Sequence, residues 1–417
     1  MTTITLTDGQ QNALTAFTTF LMTPNEVYFV LSGYSGTGKS TLIHTLLDRL
    51  ASFMKTVKLI NPHQKEYEVE LSATTNKAAE NFAFITGMPV GTIHSLLGLR
   101  VDTDFKTGVT KLVPRRGVEP LENKLIFVDE ASYIDKDLLG LIGERINIKT
   151  CKVVFIGDPA QLTPVKSNRT PVFEAGFMGA ALTEVVRQAK GNPIIELATS
   201  FRNTVNTGEF FSFKPDGDVI KYLDRDGFNE AVETEFTRSD WKYKDSKVLA
   251  WTNARVIEYN HYIRDRAKGD PSFQEGDYAV CNQFLTTPNG KSYKTDQMVN
   301  ITKITGPTKL HGVFGHNYEL DHTTTVFGPD SIKEWDKALK EARALDKYAQ
   351  VREMSNWIDL RAVYAQTVNK CQGSTYDRVF IDLDDIRRCN SGDQIARMLY
   401  VAVSRARFQV FLTGDIA

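Results

Sequence analysis

The chain has 417 residues, and its 50 Lys and Arg against 51 Asp and Glu give a formal net charge of −1. With 41% hydrophobic and 24% charged residues it has an ordinary globular composition, enough to build roughly two to four domains. The near-zero charge excludes a protein that coats nucleic acid by bulk charge, and no apolar run approaches the roughly 20 residues that span a bilayer. The amino-terminal sequence also lacks the pattern of a secretion signal. We therefore expect an intracellular, cytoplasmic protein without a membrane partner.

The first predicted elements are a strand at Val27–Gly33, a glycine-rich loop, and a helix that begins STLIHTLLDRLA. The loop, GYSGTGKST, matches the pattern G-x-x-x-x-G-K-[ST] in the strand–loop–helix context that the pattern requires. Its backbone amides and the helix N-terminus attract phosphates, Lys39 reaches the β- and γ-phosphates, and Ser40 supplies a hydroxyl to Mg²⁺. The cofactors are thus ATP and Mg²⁺, and the predicted contacts in this loop are Gly36, Thr37, Gly38, Lys39, Ser40 and Thr41.

Two further strands point to the same crevice. The run KLIFVDEAS at Lys124–Ser132 reads as a strand that ends in two acids, of which Asp129 can hold Mg²⁺ and Glu130 can polarise the attacking water. A third strand begins KVVFIGD and leads into a polar loop that carries Gln161. Parallel strands direct their carboxyl ends to one edge of a sheet, where ligands bind. This half predicts a nucleoside triphosphate hydrolase, although a small-molecule kinase fits it as well.

The second half has its own strand–helix rhythm and no phosphate loop. The segments KVLAWTN, YDRVFIDLDD and FQVFLTGD read as buried strands, and RVIEYNHYIRDRA and DQIARMLYVAVSRA read as helices. Two arginines, Arg187 and Arg405, follow apolar runs. An arginine delivered from a facing domain stabilises charge on the γ-phosphate, whereas most arginines form surface salt bridges. A second α/β sheet is therefore predicted, and the place of its arginines stays open.

Ten blocks now stand in a recognisable order: LTDGQ, GYSGTGKST, SATTNKAA, GTIHSLLG, VDEAS, GDPAQLTPV, LTEVVRQ, AWTNARV, TVNKCQGSTYD and YVAVSRAR. From Leu6 to Arg407 the chain resembles the superfamily 1 helicases of the 5′-to-3′ branch, and within them the Dda type of T-even bacteriophages. The resemblance implies an α/β fold of two RecA-like P-loop domains. It also implies a β-hairpin inserted in the first domain and a small β-barrel plus helix inserted in the second.

The resemblance assigns roles where residues match. Gln10 would read adenine, and it also fits a capping box with Thr7; Gln161 would sense the γ-phosphate. Arg187 and Arg405 would be the arginine fingers. The implied DNA contacts are Thr75, Asn76, Thr92, His94 and Ser95 in the first domain and Asn253, Thr367, Lys370 and Gln372 in the second. Hydroxyl and amide groups suit contacts to phosphate and sugar, which read no sequence. The chain departs from the pattern where Asn76 and Asn369 replace histidines, which puts the details of DNA contact in doubt.

Boundaries follow from the same comparison. We expect a first domain at 1–170, a second at 171–272 and 357–417, and an inserted subdomain at 273–356. The hairpin lies at about 100–120, where the resemblance implies a pin that parts the duplex. At its centre, Phe105 is either a stacking residue at the junction or a buried hairpin aromatic.

The predicted function is an ATP-dependent DNA helicase that moves on single strands, 5′ to 3′, in replication, recombination or repair. The alternative is a nucleotide-switched DNA-binding ATPase that does not unwind. The expected partners are single-stranded DNA and duplex junctions, with replication proteins such as a single-strand binding protein. The protein is expected to act as a monomer.

Overall fold

The structure, a computed structural model, describes residues 6–60, 62, 66–103, 110–164, 170–184, 191–287 and 290–415. In chain order its strands are β1 (Tyr28–Gly33), β2 (Glu68–Ala73), β3 (Gly91–Thr92), β4 (Leu99–Thr103), β5 (Thr110–Pro114), β6 (Lys124–Asp129), β7 (Lys152–Gly157), β8 (Met178–Leu182), β9 (Ile220–Tyr222), β10 (Ser246–Ala250), β11 (Tyr278–Cys281), β12 (Leu285–Thr286), β13 (Ser292–Tyr293), β14 (Met298–Leu310), β15 (Val313–Leu320), β16 (Thr324–Pro329), β17 (Leu360–Arg361), β18 (Ala365–Thr367), β19 (Tyr376–Asp382) and β20 (Ala406–Thr413).

The helices are α1 (Asp8–Met22), α2 (Lys39–Ile60), α3 (Asn76–Thr86), α4 (Ile93–Leu96), α5 (Lys136–Arg145), α6 (Pro171–Glu174), α7 (Pro193–Thr207), α8 (Arg225–Phe236), α9 (Asn253–Lys268), α10 (Ile332–Ala344), α11 (Tyr348–Met354), α12 (Leu383–Ile386) and α13 (Gly392–Val403). Short 3-10 turns follow β6 at Ala131–Tyr133 and β18 at Val368–Cys371.

The first domain is built on a parallel sheet with the strand order β3-β2-β6-β7-β1-β8. Its strands are apolar on both faces because helices cover both faces, as in other parallel sheets. Along β1, for instance, Phe29 and Leu31 pack into a core with α1 and α2, while Val30 packs into a second core with α5. The strands β6, β7 and β1 lie side by side, so the loops that follow them open at one edge of the sheet.

The sheet of the first domain extends past residue 170, where the sequence predicts the domain to end. Strand β8 pairs in parallel with β1, from Met178 opposite Phe29 to Leu182 opposite Gly33. The sequence MGAAL has no β-branched or aromatic residue, so it carries none of the features by which a strand is recognised from sequence. Gly179 permits the pairing, since a Cβ there would stand 2.5 Å from the Val30 carbonyl oxygen.

A second parallel sheet, in the order β18-β10-β19-β20-β9, confirms the predicted second α/β domain. All five residues of β10 are buried, and Phe380 of β19 stacks on Phe411 of β20 at a centroid distance of 4.4 Å. Helix α13 packs against α7 on one face of this sheet. Two RecA-like α/β domains thus form the body of the molecule.

The two inserted pieces differ in how closely they follow the prediction. Strands β4 and β5 form the predicted hairpin, paired from Leu99 opposite Pro114 to Thr103 opposite Thr110. Its tip, with Phe105, lies outside the described residues. In the second domain, β16-β15-β14-β11-β17 form an antiparallel sheet beside the β12-β13 pair.

A small barrel is predicted for this second insertion. No ladder pairs β16 with β17 within the described residues, but the Ile358 amide, two residues before β17, donates to the Phe327 carbonyl of β16 at 2.9 Å. The barrel stays a prediction. Helices α10 and α11 cover part of the apolar surface of the sheet. Phe327 of the sheet packs with Trp335 of α10 and with Trp357, whose ring centroid lies 4.5 Å from that of Phe327. None of the helices in the described ranges is both long and apolar enough to cross a membrane.

Candidate functional site

The loop between β1 and α2 has the backbone geometry of a phosphate-binding loop. Gly36 and Gly38 adopt φ angles of 80° and 77°, in the left-handed region that favours glycine. The Lys39 ammonium lies inside the loop and donates to the carbonyl oxygens of Gly33 and of Tyr34, the latter at 3.0 Å. Thr37 is buried and donates from Oγ1 to the Tyr34 carbonyl at 2.8 Å. Thr41 lies in the first turn of α2, beside the exposed Ser40.

Gln10 contacts both the N-cap residue of α1, Thr7, and the phosphate loop. Its backbone amide donates to the Thr7 hydroxyl at 3.3 Å and its Oε1 accepts from the Thr7 amide at 3.0 Å, which is the predicted capping box of α1. Its Nε2 donates to the Gly38 carbonyl at 3.3 Å, so the same side chain ties α1 to the phosphate loop. The adenine-reading role stays a prediction.

The two acids at the end of β6, Asp129 and Glu130, are half-buried. Glu130 has a φ of 53°, unusual for a residue with a side chain, and its amide donates to Asp129 Oδ1 at 2.9 Å. Burial raises the pKa of the Asp129 carboxyl, against the hydrogen bond and the Lys39 charge. Burial and the Asp129 carboxylate raise the pKa of Glu130 to about 7, while Arg405 and Lys39 oppose the shift. A carboxyl group with a pKa near neutrality can exchange protons at physiological pH.

These groups line one cleft of about 640 Å³, part of it open to solvent. Lys39, Ser40, Asp129, Glu130 and Gln161 face it, together with apolar residues of α3. No group of three or more His, Cys, Asp or Glu side chains suited to a metal ion occurs in the part of the chain that the structure describes. Ser40 and Asp129 still fit Mg²⁺, because this ion takes few protein ligands and completes its shell with phosphate oxygens and water.

Both domains contribute to this cleft. Gln372, which follows the turn Val368–Cys371 of the second domain, donates from Nε2 to Gln161 Oε1 at 2.8 Å. Tyr133, from the turn after Glu130, donates to the Asn369 carbonyl at 2.7 Å, and Asn81 of α3 donates to the Gly373 carbonyl. The segment 369–373, part of the TVNKCQG block, therefore closes against the loops that carry the acids.

Arg405 lies just beyond α13, with 8% of its surface exposed. Its guanidinium donates to the carbonyl oxygens of Val401 at 3.1 Å and Ser374 at 3.3 Å, both in the second domain. Its charge also acts on Glu130, since it lowers the pKa of that carboxyl. Arg405 and Glu130 are thus brought to one site. Arg187 lies outside the described residues.

The candidate DNA residues of the first domain surround two helix starts. Thr75 caps α3 by accepting from the Ala78 amide at 3.1 Å, and Thr92 caps α4 by accepting from the Ser95 amide at 3.2 Å. Helices α3 and α4 follow the neighbouring strands β2 and β3, so these residues lie at one edge of the sheet. Asn76 opens α3 and is half-buried. Burial lowers the pKa of His94, in α4, against the opposing Asp135 charge.

Three of the four candidates in the second domain share a different pocket, of about 450 Å³ including space open to solvent. Asn253, Thr367 and Lys370 line it. The Lys370 ammonium donates to Asn282 Oδ1 at 2.6 Å and to Asp296 Oδ1 at 2.9 Å, both from the inserted subdomain. Gln372, the fourth, is instead buried at the nucleotide cleft.

Residues 5–224, more than half of the chain, match the family model described as an AAA domain. The chain belongs to this family. Residues 362–413 match the UvrD-like helicase C-terminal domain. The two matches in one chain identify a superfamily 1 helicase, which confirms the family predicted from the ten blocks and implies nucleotide binding. The 5′-to-3′ direction stays a prediction. The narrower similarity to the Dda type is untested and stays a prediction.

Individual proteins are also similar to this chain, each at a sequence identity below 30%. An uncharacterised protein of Acanthamoeba polyphaga mimivirus is 20% identical over 91% of this chain and 93% of its own length. The RecBCD enzyme subunit RecD of Buchnera aphidicola is 28% identical over 43% of this chain and 31% of its own length, so the chain spans about a third of that relative. The Pif1 helicase from Bacteroides, in complex with ADP-AlF3 and ssDNA, superposes over 99% of this chain and 93% of its own with a TM-score of 0.48 at 16% identity.

Some side chains at the cleft and the neighbouring pocket were not predicted from the sequence. Asn282 and Asp296 reach the pocket from an insertion whose structure the motifs do not describe. Tyr133 stands three residues after Glu130 in the same segment, and its aromatic side chain in a polar loop was the available signal. Nothing in the local sequence indicates that Asn81 would meet the second domain.

Proposed function

We propose that the chain is an ATP-dependent DNA helicase that moves 5′ to 3′ along single strands and opens duplex DNA during replication, recombination or repair. One observation carries the proposal: the cleft lined by Lys39, Glu130 and Gln161 of the first domain is also lined by Gly373 of the second. The neighbouring Gln372 donates to Gln161 at 2.8 Å. A hydrolytic site lined by both domains supports hydrolysis coupled to their opening and closing.

The residues of the cleft would have different roles in ATP hydrolysis. The loop amides, Lys39 and Ser40 would bind the phosphates, and Ser40 with Asp129 would hold Mg²⁺, which when bound neutralises phosphate charge. Glu130 would accept a proton from the attacking water. Gln161 would contact the γ-phosphate.

The arginine fingers would be Arg405 and Arg187. Charge developing on the γ-phosphate in the transition state would be stabilised by Arg405, which the second domain supplies. For Arg187, the support is the resemblance of LTEVVRQ to the family pattern.

The candidate DNA residues support binding that ignores sequence. Hydroxyls of Thr75, Thr92 and Thr367 and the Lys370 ammonium suit the sugar–phosphate backbone, which is the same at every step along a strand. Because Lys370 is paired with Asp296, the strand would have to displace a carboxylate as it enters. Hydrolysis would then change the separation of the two domains and so advance the chain.

The deciding experiment compares ATP hydrolysis with and without single-stranded oligo(dT), using Lys39→Ala as the inactive control. A helicase should be stimulated at least about tenfold, because DNA favours the closed cleft. Unwinding is then measured on duplexes with a 5′ or a 3′ tail, with streptavidin displacement as the measure of translocation.

Two results would contradict the proposal in different parts. Stimulated hydrolysis without unwinding from either tail would indicate the nucleotide-switched ATPase. Unwinding only from the 3′ tail would exclude the proposed direction.

A further inference from the structure

One face of helix α13 is seated on the first domain. Gln394, Arg397 and Tyr400 stand three residues apart and therefore on one side of the helix. Gln394 Nε2 donates to Thr163 Oγ1 at 2.8 Å. Arg397 donates to the carbonyl oxygens of Pro159 and Gln161 at 2.7 and 2.8 Å. The helix thus holds the loop after β7 at several points.

Tyr400 makes the deepest of these contacts. Its hydroxyl donates to Asp158 Oδ2 at 2.5 Å and accepts from the Ser35 amide of the phosphate loop at 2.9 Å. Tyr400 is 2% exposed and Asp158 is fully buried. The other carboxyl oxygen, Oδ1, accepts from the Ala160 amide at 2.9 Å. Burial and the Asp158 carboxylate raise the pKa of Tyr400 far above its ordinary value, so the hydroxyl keeps its proton.

The partners of this hydroxyl belong to different domains. Ser35 and Asp158 follow β1 and β7 of the first sheet, whereas Tyr400 belongs to the second domain, so both hydrogen bonds exist only while the cleft is closed. Five residues beyond Tyr400 the chain reaches Arg405, whose Nε is bonded to the Val401 carbonyl in the last turn of the same helix. The hydrogen bonds of Tyr400 therefore fix the last turn of α13, to which Arg405 is bonded.

We propose that Tyr400 is a positioning residue whose hydroxyl closes the second domain on the phosphate loop and so sets Arg405 against the nucleotide. The inference rests on the proposed ATP hydrolysis. It goes beyond it by naming the hydroxyl group that links closure of the two domains to the phosphate loop. Replacement by phenylalanine would keep the ring and leave Asp158 Oδ2 and the Ser35 amide without this partner. Closure would then lose free energy while the open form would not.

The first test is kinetic and compares Tyr400→Phe with Tyr259→Phe. Tyr259 is a matched control, because its buried hydroxyl donates to Asp382 Oδ2 at 2.8 Å within the second domain alone. We expect Tyr400→Phe to lower kcat for DNA-stimulated hydrolysis about tenfold with KM for ATP changed less than about twofold. Tyr259→Phe should lower the Tm by a similar amount and leave kcat unchanged.

The second test measures closure itself. Nitroxide labels at Ser52→Cys and Ser239→Cys, exposed in the first and second domains, are placed in a Cys389→Ser background. With Mg²⁺ and the non-hydrolysable analogue AMP-PNP, the wild-type distance distribution should narrow to the closed form. The Tyr400→Phe distribution should remain broad.

Different results overturn different claims. A raised KM at unchanged kcat, or closure equal to that of the wild type, would make Tyr400 a fixed part of the loop and sink the inference. If the wild type itself is not stimulated by DNA, the proposed function fails, and the label distances still decide the role of Tyr400. If Tyr400→Phe is much less stable than the control Tyr259→Phe, a second variant decides. Arg397→Lys weakens the same face of α13, and the inference then requires that it also lose closure.

Discussion

Gln372 and Gln161 are joined across the two domains by a hydrogen bond of 2.8 Å, with 5% and 6% of their surfaces exposed. The sequence predicts different partners for them, DNA for Gln372 and the γ-phosphate for Gln161. Because of this hydrogen bond, replacing either glutamine should alter the position of the other side chain. The hydrogen bond joins the candidate DNA block directly to a residue of the nucleotide cleft.

A double-mutant cycle tests this route. Gln161→Ala and Gln372→Ala should each lower kcat for DNA-stimulated hydrolysis about tenfold, and the double variant should be little worse than either, a coupling of about 1 kcal/mol. The measurement is steady-state ATP hydrolysis at saturating oligo(dT). Losses that simply multiply would show that the two amides act independently.

Glu130→Gln should bind nucleotide and lose turnover, because an amide cannot accept the proton of the attacking water. In the wild type, kcat/KM should rise with pH and level off above about pH 7, the pKa of Glu130. Full activity in Glu130→Gln, or a flat pH profile, would remove Glu130 from this role.

The stability of the same variant provides a check on folding. The folded-state pKa of Glu130 lies above its model-peptide value of 4.5, so the fold disfavours the ionised form. Stability is therefore lost as pH rises from 4.5 through about 7, and Glu130→Gln escapes that loss. The variant should melt at least about 2 °C above the wild type at pH 8 and close to it at pH 5.

Replacing the arginine fingers should separate chemistry from DNA binding. Arg405→Ala and Arg187→Ala should each lower kcat about a hundredfold or more while the affinity for single-stranded DNA changes less than about twofold. Arg407→Ala is the matched control for Arg405, since its guanidinium pairs with Asp377 at 3.0 Å and is 55% exposed. A main loss in DNA affinity at unchanged kcat would identify these arginines as DNA contacts.

Shortening the hairpin at Asp102–Thr110 to a tight turn should uncouple movement from strand separation. A wedge holds melted bases apart between steps, against about 1.4 kcal/mol of stacking per base-pair step. Hydrolysis and streptavidin displacement should persist while unwinding of tailed duplexes falls sharply. Undiminished unwinding would exclude the hairpin as the pin.

Asp382 should contribute to stability through its ionised form. It is fully buried and accepts from Arg225, Arg255 and Tyr259, which lower its pKa against the effect of burial. That stability is present above the unfolded pKa and is lost as pH falls through the folded value. Asp382→Asn should lower the Tm at pH 7 and weaken its dependence on acid, whereas Asp240→Asn, at an exposed pair with Arg238, should not.

Short-range features could be predicted from the sequence because their geometry is contained in a few consecutive residues. The capping box of Thr7 and Gln10, the glycine φ angles of the phosphate loop and the acid pair after β6 are such features. Short continuous apolar runs likewise indicated both parallel sheets, since a strand that is buried on both faces carries apolar side chains on both. Strand β8 was missed because its pairing depends on the neighbouring Val30 rather than on its own sequence.

The cross-domain contacts were decided only by the tertiary structure. Tyr400 meets Asp158 across 242 positions of sequence, and Lys370 meets Asp296 across 74. A pattern can show that a tyrosine or a lysine stands in a family block. Which carboxylate it faces depends on how the two sheets and the insertion pack, and packing sums many weak contacts that no short stretch contains.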